Sequence, residues 1–244
     1  MNRPALDERR LRVLDALRGR LVVSCQARDG EPLHGPLHMR AMALSALAGG
    51  ASGLRLEGPD DVAAVRAVTT VPVIGLWKIG SEGAYITPTM ESVRAVASAG
   101  ADVVAVDGTG RARPDGSTLA DVVREMHQIG VLVMADVASV EQGVAAQEAG
   151  ADLVGSTLSG YVGDDAPPVG PDLPLVGALA SALSVPVVAE GRISTPEHAR
   201  EALALGATTV VVGGAITRPA AITERFVAAL DARPATTDTS EVAR

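Results

Sequence analysis

Lys78 and Glu190 are the residues of this chain best suited to moving protons. Each follows a short aliphatic run, Val73–Trp77 for the lysine and Val187–Ala189 for the glutamate. If those runs are strands, Lys78 shares the parity of Ile74 and Leu76, and Glu190 that of Val188, so each points the way its apolar partners do. A lysine so placed can be half of an ion pair with Glu190, a Schiff-base nucleophile or a general base. In water an ammonium holds its proton tightly. Enclosure and a nearby cation such as Arg55 loosen it, whereas a carboxylate such as Glu190 opposes that change. Glycines make a second constellation. Glu190-Gly191-Arg192 and Gly213-Gly214-Ala215 each follow an aliphatic run, and glycine lets backbone N–H groups approach an anion closely. With Arg192 as a charge-assisted donor they predict a site for a small phosphate ester; tight turns alone are the simpler alternative.

The elements that must position these groups repeat along the chain. Leu21–Cys25 runs into Gln26, Leu54–Leu56 carries Arg55 and ends at Glu57, and Val103–Val106 stops at Asp107. Leu132–Ala135 stops at Asp136, Leu153–Gly155 at Ser156 and Thr157, and Val210–Val212 at Gly213. Polar groups at the carboxyl ends of eight parallel-type strands predict an α/β fold of the (β/α)8 TIM-barrel kind, where those ends share one face. The strands are apolar throughout rather than alternating, as strands covered on both sides are. Four segments, AGGASGLRLEG, SAGADVVAVDG, EAGADLVGSTL and ALGATTVVVGG, share a helix end, a glycine and a strand. Their glycines, Gly50, Gly100, Gly150 and Gly206, are spaced by 50, 50 and 56 residues, so each period holds two strand-helix units. Between strands, Asp60–Val68, Met90–Ala99, Thr118–Gln128, Val140–Ala149 and Pro196–Leu205 carry apolar residues at helical spacing.

At 244 residues the chain suits one barrel, expected over 1–232 behind an N-terminal charged helix, with a small polar, disordered tail over 233–244. Only 2% of residues are aromatic, so the core must be built from Ala, Val, Leu and Ile. A net charge of −8 disfavours nucleic acid and anionic membrane as partners. No apolar run reaches the roughly 18 residues of a membrane span, and none resembles a signal peptide. The single cysteine, Cys25, cannot form an intramolecular disulfide, which fits a reducing cytoplasm; it reads as a small buried apolar residue. His34, His38, His127 and His198 are scattered and away from strand ends, so neither a metal nor an organic cofactor is expected.

The segments LVVSCQ, GLRLEG, VIGLWK with ITPT downstream, DVVAVDGTGRARPDG, TLSGY, VVAEGRISTPEHA and VVGGAITRP resemble the N-acetylmannosamine-6-phosphate 2-epimerase (N-acylglucosamine-6-phosphate 2-epimerase) family over nearly the whole chain. The resemblance implies a barrel of the ribulose-phosphate-binding type and interconversion of N-acetylmannosamine 6-phosphate and N-acetylglucosamine 6-phosphate, in amino-sugar and sialic-acid catabolism. It implies Lys78 as the base at C2 and Glu190 as its carboxylate partner. By the same resemblance Gln26, Arg55, Asp136 and Arg218 hold the sugar and its acetamido group, and Gly191, Gly213 and Gly214 with Arg192 hold the phosphate. It further implies a homodimer, with the Ala-rich helix around Ile222–Leu230 as the candidate contact. The chain departs from the family's usual pattern at Ile79, in the loop Gly80–Tyr85 and at Gly110.

The residues keep simpler alternatives. Arg55 can pair with Glu57, two positions along one strand face. Asp136 can cap a helix rather than meet a sugar hydroxyl, and Asp107 reads as structural because Gly108-Thr109 makes a turn. Ser159, Gly160 and Tyr161 occupy the loop after the sixth strand, where the tyrosine either lines the pocket or packs on its rim. Epimerisation needs the sugar ring open, because only then is the C2 proton α to a carbonyl. Inversion then takes two acid/base groups on opposite faces, or one group and a turned intermediate. An aldolase-type lyase using Lys78 as a Schiff base, and a non-enzymatic sugar-phosphate-binding barrel, are the other readings.

Overall fold

Eight short strands hydrogen-bond in parallel and close on themselves in chain order. They are Leu21–Cys25 (β1), Gly53–Glu57 (β2), Val73–Leu76 (β3), Val103–Asp107 (β4), Leu132–Asp136 (β5), Leu153–Gly155 (β6), Val187–Glu190 (β7) and Thr209–Val212 (β8). The pairing of β8 with β1, Val22 beside Val211, seals the ring. The structure is a computed structural model that describes residues 3–163 and 168–231; the tail expected over 233–244 lies outside them. The TIM-barrel expectation is met, with strand boundaries within one residue of those read from the sequence.

The helices are Arg3–Leu17 (α1), Pro36–Ala48 (α2), Pro59–Arg66 (α3), Met90–Ser98 (α4), Leu119–Ile129 (α5), Val140–Glu148 (α6), Leu173–Ala182 (α7), Pro196–Ala204 (α8), Gly214–Thr217 (α9) and Pro219–Asp231 (α10). Their starts are chemically marked. Thr89, Thr118, Ser139, Asp172 and Thr195 accept a hydrogen bond from a first-turn N–H of α4, α5, α6, α7 and α8. The repeated glycines lie just past helix ends in the left-handed region. At Gly100 (φ 105°) a β-carbon would also sit 2.7 Å from Cγ of Arg66, so both backbone and space demand glycine.

Strand parity sorts side chains into two sets. Val23, Cys25, Leu54, Leu56, Val104 and Val106 face outward into the helix layer. Val22, Ile74, Leu76, Ala105, Met134 and Val188 fill the barrel, joined from below by Val13, Leu14 and Leu17 of α1. The N-terminal helix therefore plugs the amino end of the barrel. Two aspartates fix it there. Asp102 accepts from Arg9 (2.9 Å), Arg66 (3.1 Å) and the Val73 N–H (3.0 Å). Asp152 takes the Val133 N–H and Nε2 of His127, both at 2.8 Å, and pairs with Arg10 at 3.6 Å. With one end closed, the carboxyl ends of the strands remain as the open mouth.

Candidate active site

The inward parity continues past the strand ends and delivers the polar groups. Gln26 and Lys78 lie in phase with the inward residues of β1 and β3, Arg55 and Glu57 alternate with outward Leu54 and Leu56, and Asp136, Thr157 and Glu190 continue β5, β6 and β7. Every residue expected at the site except Asp136 lines one cavity of about 1020 Å³ at the mouth.

Lys78 sits at the start of a folded-over loop. Lys78 and Ile86 form an isolated antiparallel bridge, the Ile79 N–H donates to the Tyr85 carbonyl (3.0 Å), and the Thr87 N–H returns to Trp77 (2.7 Å). The loop is anchored by Thr87, which is buried with φ 46°, a left-handed conformation that β-branched residues avoid. Three further hydrogen bonds hold it. Its hydroxyl donates to the Ala105 carbonyl (2.7 Å) and accepts from the Trp77 N–H (3.0 Å), and its carbonyl accepts from Arg113 (2.6 Å). Thus fixed, Lys78 Nζ donates to Gln26 Oε1 at 2.6 Å and to Glu57 Oε2 at 3.2 Å. Gln26 in turn donates through Nε2 to Ser24 Oγ (2.9 Å), which sets the amide oxygen towards the lysine. No direct Lys78–Glu190 ion pair forms among the described residues; the lysine's carboxylate contact is Glu57.

Glu190 belongs to a second, deeper network. Arg55, only 1% exposed, spans the mouth from β2 and places Nη2 at 2.6 Å from Asp136 Oδ2 and Nη1 at 3.1 Å from Glu190 Oε2. Thr157 donates its hydroxyl towards Asp136 Oδ1 (2.8 Å) and Glu190 Oε2 (3.0 Å). Burial pushes the Glu190 carboxyl up to about 7, with Asp136 adding to the rise and Arg55 opposing it. The expected Arg55–Glu57 pair is replaced by these cross-barrel contacts. Asp136 has no exposed surface and its oxygens are taken by Arg55 and Thr157, so it holds no face towards a sugar hydroxyl.

On the other side of the cavity, Gly191 (φ 110°) and Arg192 (φ 56°) follow β7, and Gly213 caps the short helix that begins at Gly214. The Arg192 guanidinium turns from the phosphate role expected of it. Its Nε and Nη1 donate to the carbonyls of Gly170 (2.6 Å) and Ser159 (2.5 Å), and it lies over the Tyr161 ring, 5.4 Å from the centroid. Arg218 stands beside Gly214: a β-carbon there would lie 3.7 Å from its Cδ. Its guanidinium pairs with Glu31 from the loop after β1. Asp107 makes the turn anticipated for it, accepting from the Thr109 N–H (2.9 Å) and pairing with Arg111 at 2.5 Å.

Sequence reasoning overlooked Glu57 as a partner of Lys78, Thr157 as the link between two carboxylates, and His34, which lines the cavity from the loop before α2. Parity along β2 and β6 already placed Glu57 and Thr157 inward. His34 carried no such signal, because it lies outside any strand.

A family model described as "Putative N-acetylmannosamine-6-phosphate epimerase" matches residues 39–232. A "Putative N-acetylmannosamine-6-phosphate 2-epimerase" of Cutibacterium acnes is 51% identical over 222 residues, covering 90% of this chain and 97% of that protein. One of the same description from Caldanaerobacter subterraneus is 47% identical, covering 88% and 92%. The solved N-acetylmannosamine-6-phosphate 2-epimerase of Clostridium perfringens superposes with a TM-score of 0.85 at 42% identity, covering 88% of this chain and 95% of that one. With most of its length matched at these identities, the chain belongs to the N-acetylmannosamine-6-phosphate 2-epimerase family.

Proposed function

We propose that the chain interconverts N-acetylmannosamine 6-phosphate and N-acetylglucosamine 6-phosphate, with Lys78 and Glu190 as the two proton-transfer groups. One observation carries the two-group form of this reading. Lys78 follows β3 and Glu190 ends β7, four strands apart in an eight-stranded ring, so they reach a substrate at the mouth from opposite sides. Once the ring opens, Lys78 takes the C2 proton from one face and leaves an enediolate. Glu190, which burial keeps partly protonated at neutral pH, returns a proton to the other face; in the reverse direction the two exchange roles. The ammonium formed on Lys78 offsets the developing oxyanion charge. Arg55 and Asp136 keep Glu190 in place, and Gln26 orients the lysine.

The phosphate falls to the backbone at Gly191, Gly213 and Gly214, with Arg218 as the neighbouring cation. Because the reaction is proton transfer that side chains can carry, the proposal includes no metal or organic cofactor. Among the described residues no helix is long and apolar enough to cross a membrane. A cytoplasmic homodimer joined through α10, without nucleic acid as partner, completes the reading.

The test is an NMR assay of N-acetylmannosamine 6-phosphate in D2O. Wild type should form the epimer with deuterium at C2, and Lys78→Ala should lose on the order of 10²-fold or more in rate. Epimer formation without deuterium uptake, or full activity in Lys78→Ala, would refute the mechanism.

A further inference from the structure

We propose that Glu57 takes the proton of Lys78 and so converts it from ammonium to amine before C2 is attacked. This rests on the reading of Lys78 as the base. Nζ has two acceptors here, Gln26 Oε1 at 2.6 Å and Glu57 Oε2 at 3.2 Å. An amide oxygen accepts a hydrogen bond but is far too weak a base to take the proton; a carboxylate does both. Glu190 is not placed for this step, since among the described residues it pairs with Arg55 (3.1 Å) and forms no ion pair with Lys78.

The transfer balances without any other reactant. An Nζ–H bond breaks, its electron pair stays on nitrogen, and an O–H bond forms on Glu57, so an ion pair becomes a neutral pair. The lone pair on Nζ is then free for the C2 proton. A substrate that closes the cavity expels water, which weakens solvation of the ion pair and favours the neutral one. Arg55 on β2 and Asp61 on α3 act electrostatically on Glu57, and Glu190 on β7 acts on Lys78. Asp60, His34 and Tyr85 line the same cavity. Glu57 acts through Lys78 and does not itself touch the reacting carbon, which makes it a positioning residue in the proton inventory of the base.

The experiment compares Glu57→Gln, Glu57→Ala and Lys78→Ala in the D2O assay from pH 6 to 10, with and without added formate. Glu57→Gln keeps the acceptor oxygen but cannot take a proton. Its kcat at pH 7 should fall on the order of 10²-fold with KM changed little, and should recover as the pH rises and solvent deprotonates Lys78. Glu57→Ala should be rescued by formate in proportion to its concentration, and Lys78→Ala should show neither effect. Wild-type kcat and pH profile in Glu57→Gln would overturn this proposal while leaving Lys78 as the base. A loss in both Glu57 variants that neither pH nor formate relieves would make Glu57 a mere anchor and overturn it as well. Full activity in Lys78→Ala would instead refute the underlying reading.

Discussion

Arg55 has one side chain and serves two carboxylates from strands it does not adjoin. It leaves β2 and ends between Asp136 of β5 and Glu190 of β7, where its charge offsets part of the cost of burying both. The offset is incomplete at Glu190, whose carboxyl burial pushes up to about 7 in the folded chain from an ordinary 4.5. Between those values the native state holds a proton that the unfolded chain has released, so this group's contribution to stability declines as pH rises through the window. Glu190→Gln removes that titration. Measured by urea unfolding at pH 5 and pH 7.5, the stability of the variant relative to wild type should therefore be more favourable at the higher pH. An equal difference at both would mean that Glu190 is ionised throughout. The partner of Arg55 was not legible in the sequence for a physical reason. Glu57 is its neighbour on the same strand face, but inside a closed ring a long side chain reaches the far wall, and strand order alone does not say which wall.

At the scale of elements, alternation along each strand carried most of the information, because period two decides which residues meet inside the barrel. The repeat held more than the sequence reading drew from it. Its Gly-Ala-Asp steps at Asp102 and Asp152 turned out to bind an N–H near the start of a neighbouring strand, Val73 of β3 and Val133 of β5, and to anchor α1. Gly155 shows what the alternation demands at the site. It takes the inward position between Leu153 and Thr157, and a β-carbon there would lie 2.3 Å from Met134 Cε, 3.0 Å from Thr157 Oγ1 and 3.2 Å from Asp136 Oδ1. Methionine can move aside, but the hydroxyl and carboxylate are hydrogen-bonded to each other and to the Arg55–Glu190 pair. Gly155→Val should cost about 1–3 kcal/mol by overpacking and lower kcat at least about tenfold by displacing Glu190. Gly177→Ala on α7, where a β-carbon meets nothing closer than 3.6 Å, should instead gain about 0.5–1 kcal/mol and leave kcat unchanged. Thermal unfolding and steady-state rates of the two variants check both signs.

For the whole molecule, the outermost helix is the part that the barrel does not account for. The helix α10 has no buried residue, and Phe226, Val227 and Leu230 are 69%, 50% and 84% exposed. Apolar residues at i, i+1 and i+4 form one stripe on a helix, and in a chain with a single phenylalanine it is costly to leave that residue in water. The proposed dimer covers this stripe, and it gives the long helix a packing partner that its own barrel withholds. Arg225, on the same helix, lines the site cavity, so the proposed interface would lie beside the barrel mouth. Net charge of −8 on each copy opposes association at long range, which apolar contact must outweigh and added salt should relieve. Phe226→Glu with Leu230→Glu should therefore convert a dimer into a species near the 24.7 kDa of one chain in sedimentation equilibrium. The barrel beneath should keep its unfolding transition, because neither residue reaches the core. A variant that remains dimeric would place the interface on another face, and a wild type already monomeric at micromolar concentration would refute the dimer itself.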